Sequence, residues 1–154
     1  MHMHINAGPT LDPLPCTGAR LRRLTRRTTA FYEHYLRDLD LRLTQYSLLR
    51  HLGSAPQALT ELADRLEMDR TTLTRGLRPL IRQAWVEESR GSDARMRLYR
   101  LTPDGVAMRE RAEVRWAEAQ HALEQALGRE FTDQLNQRLE EALALLKPAL
   151  PENN

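Results

Sequence analysis

Asp69-Arg70-Thr71-Thr72-Leu73-Thr74-Arg75-Gly76-Leu77-Arg78, followed after a short interval by Arg90-Gly91-Ser92-Asp93-Ala94-Arg95-Met96-Arg97, decides how this chain folds. The first segment is a helix that Asp69 can cap, with hydroxyls and arginines where most soluble helices carry glutamate and lysine. Hydroxyls and guanidinium groups at a helix N-terminus suit a phosphate backbone and the edges of bases. The second segment is a hairpin tip. Short β-prone runs over 86–89 and 98–101 flank a turn centred on Gly91.

Working outward, Thr60 can cap a short helix covering Leu62, Ala63 and Leu66, and the Asp69 helix extends to about Gln83. Further upstream, Leu21, Leu24, Thr28, Phe31 and Tyr35 recur at helical spacing and predict an amphipathic helix over 17–39. Thr44 can cap a second helix running through Leu52, with Gly53 as its stop. Pro103 suits the first turn of a long helix striped by Ala112, Trp116, Ala119, Leu123 and Ala126, ending at Gly128. Thr132 can cap a last helix aligned on Phe131, Leu135, Leu139, Leu143 and Leu146, closed by Pro148. Gly8, Pro9, Pro13 and Pro15 mark an irregular N-terminal arm.

The order is four helices, a hairpin and two helices: a mainly α fold with a small β-hairpin wing. It reads as a winged helix-turn-helix over 44–102, flanked by dimerisation helices over 17–40 and 103–147, with an arm over 1–16, all in one domain of 154 residues. The terminal stripes are longer than a small core can use, so a second copy of the chain is expected to cover them.

Charge is segregated. The net charge is +2, yet residues 70–102 hold eight arginines against three acids, and residues 103–147 hold six bases against nine acids. One basic end suits a nucleic-acid footprint. The single cysteine, Cys16, excludes an internal disulfide and a cysteine-based zinc site. The opening Met1-His2-Met3-His4 is too short to read as a metal site. No apolar run reaches the roughly 18 residues of a membrane span and no secretory signal is visible, which fits a cytoplasmic protein. No nucleophile elbow, phosphate-cradling glycine loop or H-E-x-x-H motif is present, so no enzyme, metal or cofactor is expected.

Asp93-Ala-Arg95-Met-Arg-Leu-Tyr-Arg-Leu101-Thr102-Pro-Asp-Gly105 resembles the D-x-R-x5-L-T-x2-G wing signature of the MarR family of bacterial transcription regulators. Leu59-Thr-Glu-Leu-Ala63 and Arg70-Thr-Thr-Leu-Thr-Arg75 resemble its helix-turn-helix, and Leu43-Thr-Gln-Tyr-Ser-Leu-Leu49 the start of its second helix. The resemblance covers about residues 17–147. It implies a homodimeric repressor of a pseudo-palindromic operator on double-stranded DNA, released by a small ligand or an oxidant.

The helix would enter the major groove while the wing reaches the minor groove or phosphates. Candidate DNA contacts are therefore Arg70, Thr71, Thr72, Thr74, Arg75 and Arg78 on the helix and Arg90, Asp93, Arg95 and Arg97 on the wing. Asp93 is expected to pair with the Arg95 guanidinium and hold it for insertion. Two positions depart from the family pattern. Glu67 stands where glycine is frequent in the turn, so a positive φ there carries a steric penalty. Pro79 removes an amide inside the recognition helix and should bend it beyond the reading turns. Trp85 and Trp116 read as core or interface residues. Tyr32, His34 and Tyr35 are a possible effector pocket, with core packing and surface as the plain alternatives. Cys16, beside Arg20, Arg22 and Arg23 at a helix start, is a possible redox site or an inert thiol. Two alternatives remain: a thiol-based redox sensor, and a helical interaction protein without DNA binding.

Overall fold

A computed structural model describes residues 16–147. Residues 1–15 of the N-terminal arm, His2 and His4 among them, and Pro148 lie outside them. Helix α1 (Thr17–Leu36) passes through a 3-10 turn (Arg37–Leu39) to α2 (Leu43–His51). Strand β1 (Gln57–Ala58) leads directly into α3 (Leu59–Leu66), and α4 (Arg70–Arg82) follows. The wing is β2 (Val86–Arg90) and β3 (Arg97–Leu101), and the long helices α5 (Pro103–Leu127) and α6 (Arg129–Leu146) close the described chain. This is the mainly helical winged helix-turn-helix that the sequence predicted.

The core lies where α2, α3, α4, the sheet and the first half of α5 meet. Leu49, Leu62, Leu73, Leu77 and Leu80 are wholly inaccessible, and Leu36 joins them from the end of α1. Each such leucine contributes about 1.5–3 kcal/mol by leaving water. Gly76 lets α4 approach α2 closely, because a Cβ there would stand 2.9 Å from Leu48 Cδ1. Helix α4 continues through Pro79 to Arg82, with Leu80 buried behind it.

Two α-helix ends use left-handed residues other than glycine, as Asp40 does after the 3-10 turn. After α3, Glu67 has φ 51°, the Met68 amide bonds to Ala63 O at 3.0 Å and the Glu67 amide to Asp64 O at 3.2 Å. That pair of bonds is a Schellman stop, and Glu67 carries the strain expected at its position. After α4, Ala84 has φ 57°, with Trp85 N bonded to Leu80 O at 3.0 Å.

The sheet is antiparallel in the order β1-β3-β2, with Val86 opposite Leu101 and Arg90 opposite Arg97. The two-residue β1 pairs Gln57 with Tyr99 and has no sequence signal: it is an edge captured by β3 after Pro56.

Four expected caps fall elsewhere. Helix α2 starts one residue before Thr44. Its first amides are satisfied by Glu33 of α1, which accepts from Leu43 N at 3.2 Å, and by Gln45, which accepts from Arg42 N at 2.9 Å. Gly53 is no left-handed stop: α2 ends at the extended Leu52, and Gly53 O accepts from Leu101 N at 2.8 Å. Thr60 lies inside α3, whose N-cap is Ala58. Thr132 lies inside α6, which begins after Gly128 at φ 85°; its buried hydroxyl donates back to Gly128 O at 2.9 Å.

On α5, Met108, Ala112 and Ala119 are buried, Trp116 and Leu123 are half-buried, and Ala126 is exposed. Arg50 of α2 lies 4.7 Å over the Trp116 ring, a cation–π contact between the helix-turn-helix part and the long helix. Most of α1 and α6 is left uncovered: Leu21, Leu24, Phe131, Leu143 and Leu146 are all exposed.

Candidate nucleic-acid interface

Helix α4 starts at an exposed cap. Asp69 Oδ2 accepts from the Thr72 hydroxyl at 2.5 Å, and Oδ1 accepts from the Thr72 amide at 2.8 Å. These bonds hold the Asp69 carboxyl below the usual carboxylate range. Thr72 is therefore engaged in the cap. Thr74 donates its hydroxyl to Arg70 O at 2.7 Å, a back-bond that fixes its rotamer and leaves the oxygen as an acceptor.

Between α4 and the wing runs an open groove of about 560 Å³. From α4 it is lined by Arg70, Thr71, Thr74, Arg75 and Arg78, and from the wing by Arg95 and Arg97. Seven of the ten candidate contacts are thus brought onto one concave surface. The groove also takes in Ala58, Leu59, Thr60 and Met96, which were not among the candidates. Thr60 had been assigned only a capping role, and nothing in the local sequence marks Met96.

Among the described residues, Arg70, Arg75, Arg78 and Arg95 form no ion pair, whereas Arg97 lies 3.9 Å from Glu88 and Arg100 2.6 Å from Glu87. Unpaired guanidiniums on one concave wall leave a positive field for an anionic backbone.

At the wing tip the structure corrects an expectation. Asp93 Oδ1 accepts from the backbone amide of Arg95 at 3.0 Å rather than from its guanidinium, and Asp93 O accepts from Met96 N at 2.9 Å. An aspartate two residues ahead is well placed to close an Asx-type turn, so Asp93 shapes the loop and leaves the Arg95 side chain free. Arg90 Nη1 reaches back to Ala94 O at 3.3 Å and braces the same loop.

Asp93→Asn keeps the acceptor and should hold the turn, whereas Asp93→Ala should lose a bond worth about 1 kcal/mol. Arg95→Ala leaves the amide that Asp93 holds, so the losses in DNA affinity from Asp93→Ala and Arg95→Ala should add to within about 0.5 kcal/mol. Operator titrations of both singles and the double would show it. A double mutant no worse than Arg95→Ala would restore the side-chain pairing.

The candidate effector residues do not converge. Tyr32 is half-buried and donates to Gln120 Oε1 of α5 at 2.5 Å. Burial first, and then Glu124, pushes its phenol upward. His34 and Tyr35 line a depression of about 350 Å³ with Arg37, Asp38, Arg115 and Glu118. Arg115 is bonded there to Asp38 at 2.7 Å and holds the Asp38 carboxyl below its ordinary range. Cys16 is exposed, and its Sγ caps α1 by accepting from Ala19 N at 3.4 Å. Among the described residues no cluster of histidine, cysteine and carboxylate could hold a metal ion, and no helix is long and apolar enough to cross a membrane.

A profile described as the MarR family matches residues 39–96. The transcriptional regulator MOSR of M. tuberculosis, solved in complex with DNA, is 31% identical; the match covers 82% of this chain and 98% of that one, with a TM-score of 0.68. The chain belongs to the MarR family of transcription regulators.

Two further MarR-like structures extend the comparison. The transcriptional repressor CouR, bound to a 23-mer DNA duplex, is 27% identical over 83% of this chain and 92% of its own, at a TM-score of 0.75. MarR of E. coli is 25% identical over 86% and 99%, at a TM-score of 0.64. No curated protein sequence matches the chain. Within this MarR-family chain, the profile match runs from the end of the 3-10 turn to Met96, and so includes every groove-lining residue except Arg97.

Proposed function

We propose that the chain is a sequence-specific, dimeric repressor that binds a pseudo-palindromic operator and leaves it on binding a small ligand. The observation that carries this reading is the single groove in which the arginines and hydroxyls of α4 face Arg95 and Arg97 of the wing. Two relatives with this architecture were solved on DNA, and one of them is a repressor. In this reading α4 enters the major groove, Arg75 and Arg70 read base edges, and Arg78 and Arg97 hold phosphates. Arg95, exposed and unpaired at the wing, enters the adjacent minor groove, where the negative potential favours arginine. The exposed leucines of α1 and α6 meet their equivalents in a second copy and set the half-site spacing. The depression beside His34 and Tyr35 lies where α1 and the 3-10 turn approach α5, a place from which a small ligand would shift the wing relative to the dimer helices. An interaction protein without DNA binding would leave this arginine groove without a purpose.

The test is selection of duplexes from a random-sequence pool, followed by titration at several salt concentrations. Affinity should fall steeply with salt. Arg75→Ala should lose about 1–3 kcal/mol on the selected duplex and discriminate less against other sequences. Retention of both affinity and preference in Arg75→Ala would remove α4 as the reader.

A further inference from the structure

Met96 occupies an unusual position for a methionine. It is 45% exposed and lines the groove between Arg95 and Arg97, whereas Met108 is buried in the core and Met68 is half-buried beside the α3–α4 turn. Its side chain is laid back across the wing turn. A Cβ on Gly91 would stand 2.8 Å from Met96 Sδ and 3.1 Å from its Cβ and Cγ, and the Gly91 amide bonds to Met96 O at 2.9 Å. The thioether is thereby held over the turn. It forms part of the apolar floor that Leu59 and Ala58 supply from the other side.

We infer that Met96 is an apolar DNA contact of the wing, and that its oxidation by a two-electron oxidant such as hypochlorous acid weakens DNA binding. This rests on the DNA-binding reading above. Between Arg95, assigned above to the minor groove, and Arg97, assigned to phosphate, the exposed thioether meets the deoxyribose face of the backbone that fills the groove. Oxidation is an oxygen-atom transfer: sulfur gives up an electron pair to form the S–O bond, the O–Cl bond breaks, and chloride and a proton are released. The sulfoxide oxygen is a strong acceptor. The phosphodiester backbone offers it no donor, whereas the guanidiniums of Arg95 and Arg97 do. The modified side chain therefore draws a wing arginine away from phosphate and places a polar group where an apolar one was covered.

The experiment uses the full chain carrying Cys16→Ser, with and without Met96→Leu, and a short duplex enriched by the wild-type chain from a random-sequence pool. Each protein is titrated with hypochlorous acid, assayed for DNA affinity against its own untreated sample, and mapped by peptide mass spectrometry. Conversion of Met96 should lower affinity about tenfold, the effect of about 1.4 kcal/mol. Met96→Leu should keep a treated-to-untreated ratio near one, prior binding of the duplex should protect Met96, and methionine sulfoxide reductase should restore affinity. An equal loss in Met96→Leu, or full Met96 sulfoxide with unchanged affinity, overturns the inference. Failure of the wild-type chain to enrich any duplex is a separate result that overturns the DNA-binding reading and this inference with it.

Discussion

Gly105→Ala is expected to destabilise the protein by about 3 kcal/mol, the upper end of the cost of overpacking a tight site. Helix propensity argues the other way, since alanine gains about 1 kcal/mol over glycine inside a helix. Packing decides the sign. Gly105 lies in the first turn of α5, and a Cβ there would stand 1.9 Å from Trp85 O and 2.8 Å from Trp85 C. Those are backbone atoms and cannot rotate aside. They are also held in place: Trp85 O accepts from Thr102 N at 3.0 Å, Thr102 Oγ1 donates to Ala84 O at 2.6 Å, and Gly105 N donates to Thr102 Oγ1 at 3.0 Å. To admit a methyl group, α5 must lift away from the corner where α4 passes into β2. Urea unfolding should show a lower midpoint with a similar slope. A midpoint equal to or above that of the wild type would mean that α5 and Trp85 are not packed this closely.

Leu143→Glu should abolish operator binding at concentrations that saturate the wild type. Leu143 is 58% exposed on the face of α6 that also carries Leu139 and Leu146, and Leu21 of α1 is 44% exposed. If this face is the seam of a dimer, a carboxylate there is buried without a partner, a cost of several kcal/mol in each copy. The folded core should be untouched, because α6 supplies none of its buried leucines. The monomer keeps one groove but loses the second half-site, and with it an avidity of about 100-fold or more. Sedimentation and titration should therefore change together: a dimer that binds tightly becomes a folded monomer that binds weakly. A wild-type chain that sediments as a monomer at micromolar concentration, or a Leu143→Glu dimer with full affinity, would refute the arrangement.

The helix-turn-helix and wing were legible because their signals are local. Asp69 caps α4 as read, Pro103 opens α5, Gly128 ends it, and the short β-prone runs around Gly91 form the wing strands. The arginines and hydroxyls of α4 were visible as candidates for the same reason. The caps at Thr44, Thr60 and Thr132 were misplaced because each has a rival that only the fold supplies. Glu33 comes across from α1 to the start of α2, β1 fixes where α3 begins, and Gly128 turns the chain so that Thr132 is buried a full turn inside α6. Strand β1 was missed because two residues carry no periodicity.

By itself, then, the sequence determined which segments are helices and which the wing, where their charge and hydroxyls lie, and to which family the pattern points. These follow from spacing, capping chemistry and composition, all properties of neighbours along the chain. Tertiary structure alone decided that the faces of α4 and the wing enclose one groove, that Thr60 and Met96 belong to it, that Asp93 holds a backbone amide instead of a guanidinium, and that Gly105 must be glycine. Each of these depends on how closely two segments far apart in the chain approach. Such approach distances are set by the packing of Leu73, Leu77, Leu80 and Tyr99 in a shared core, which no local pattern encodes.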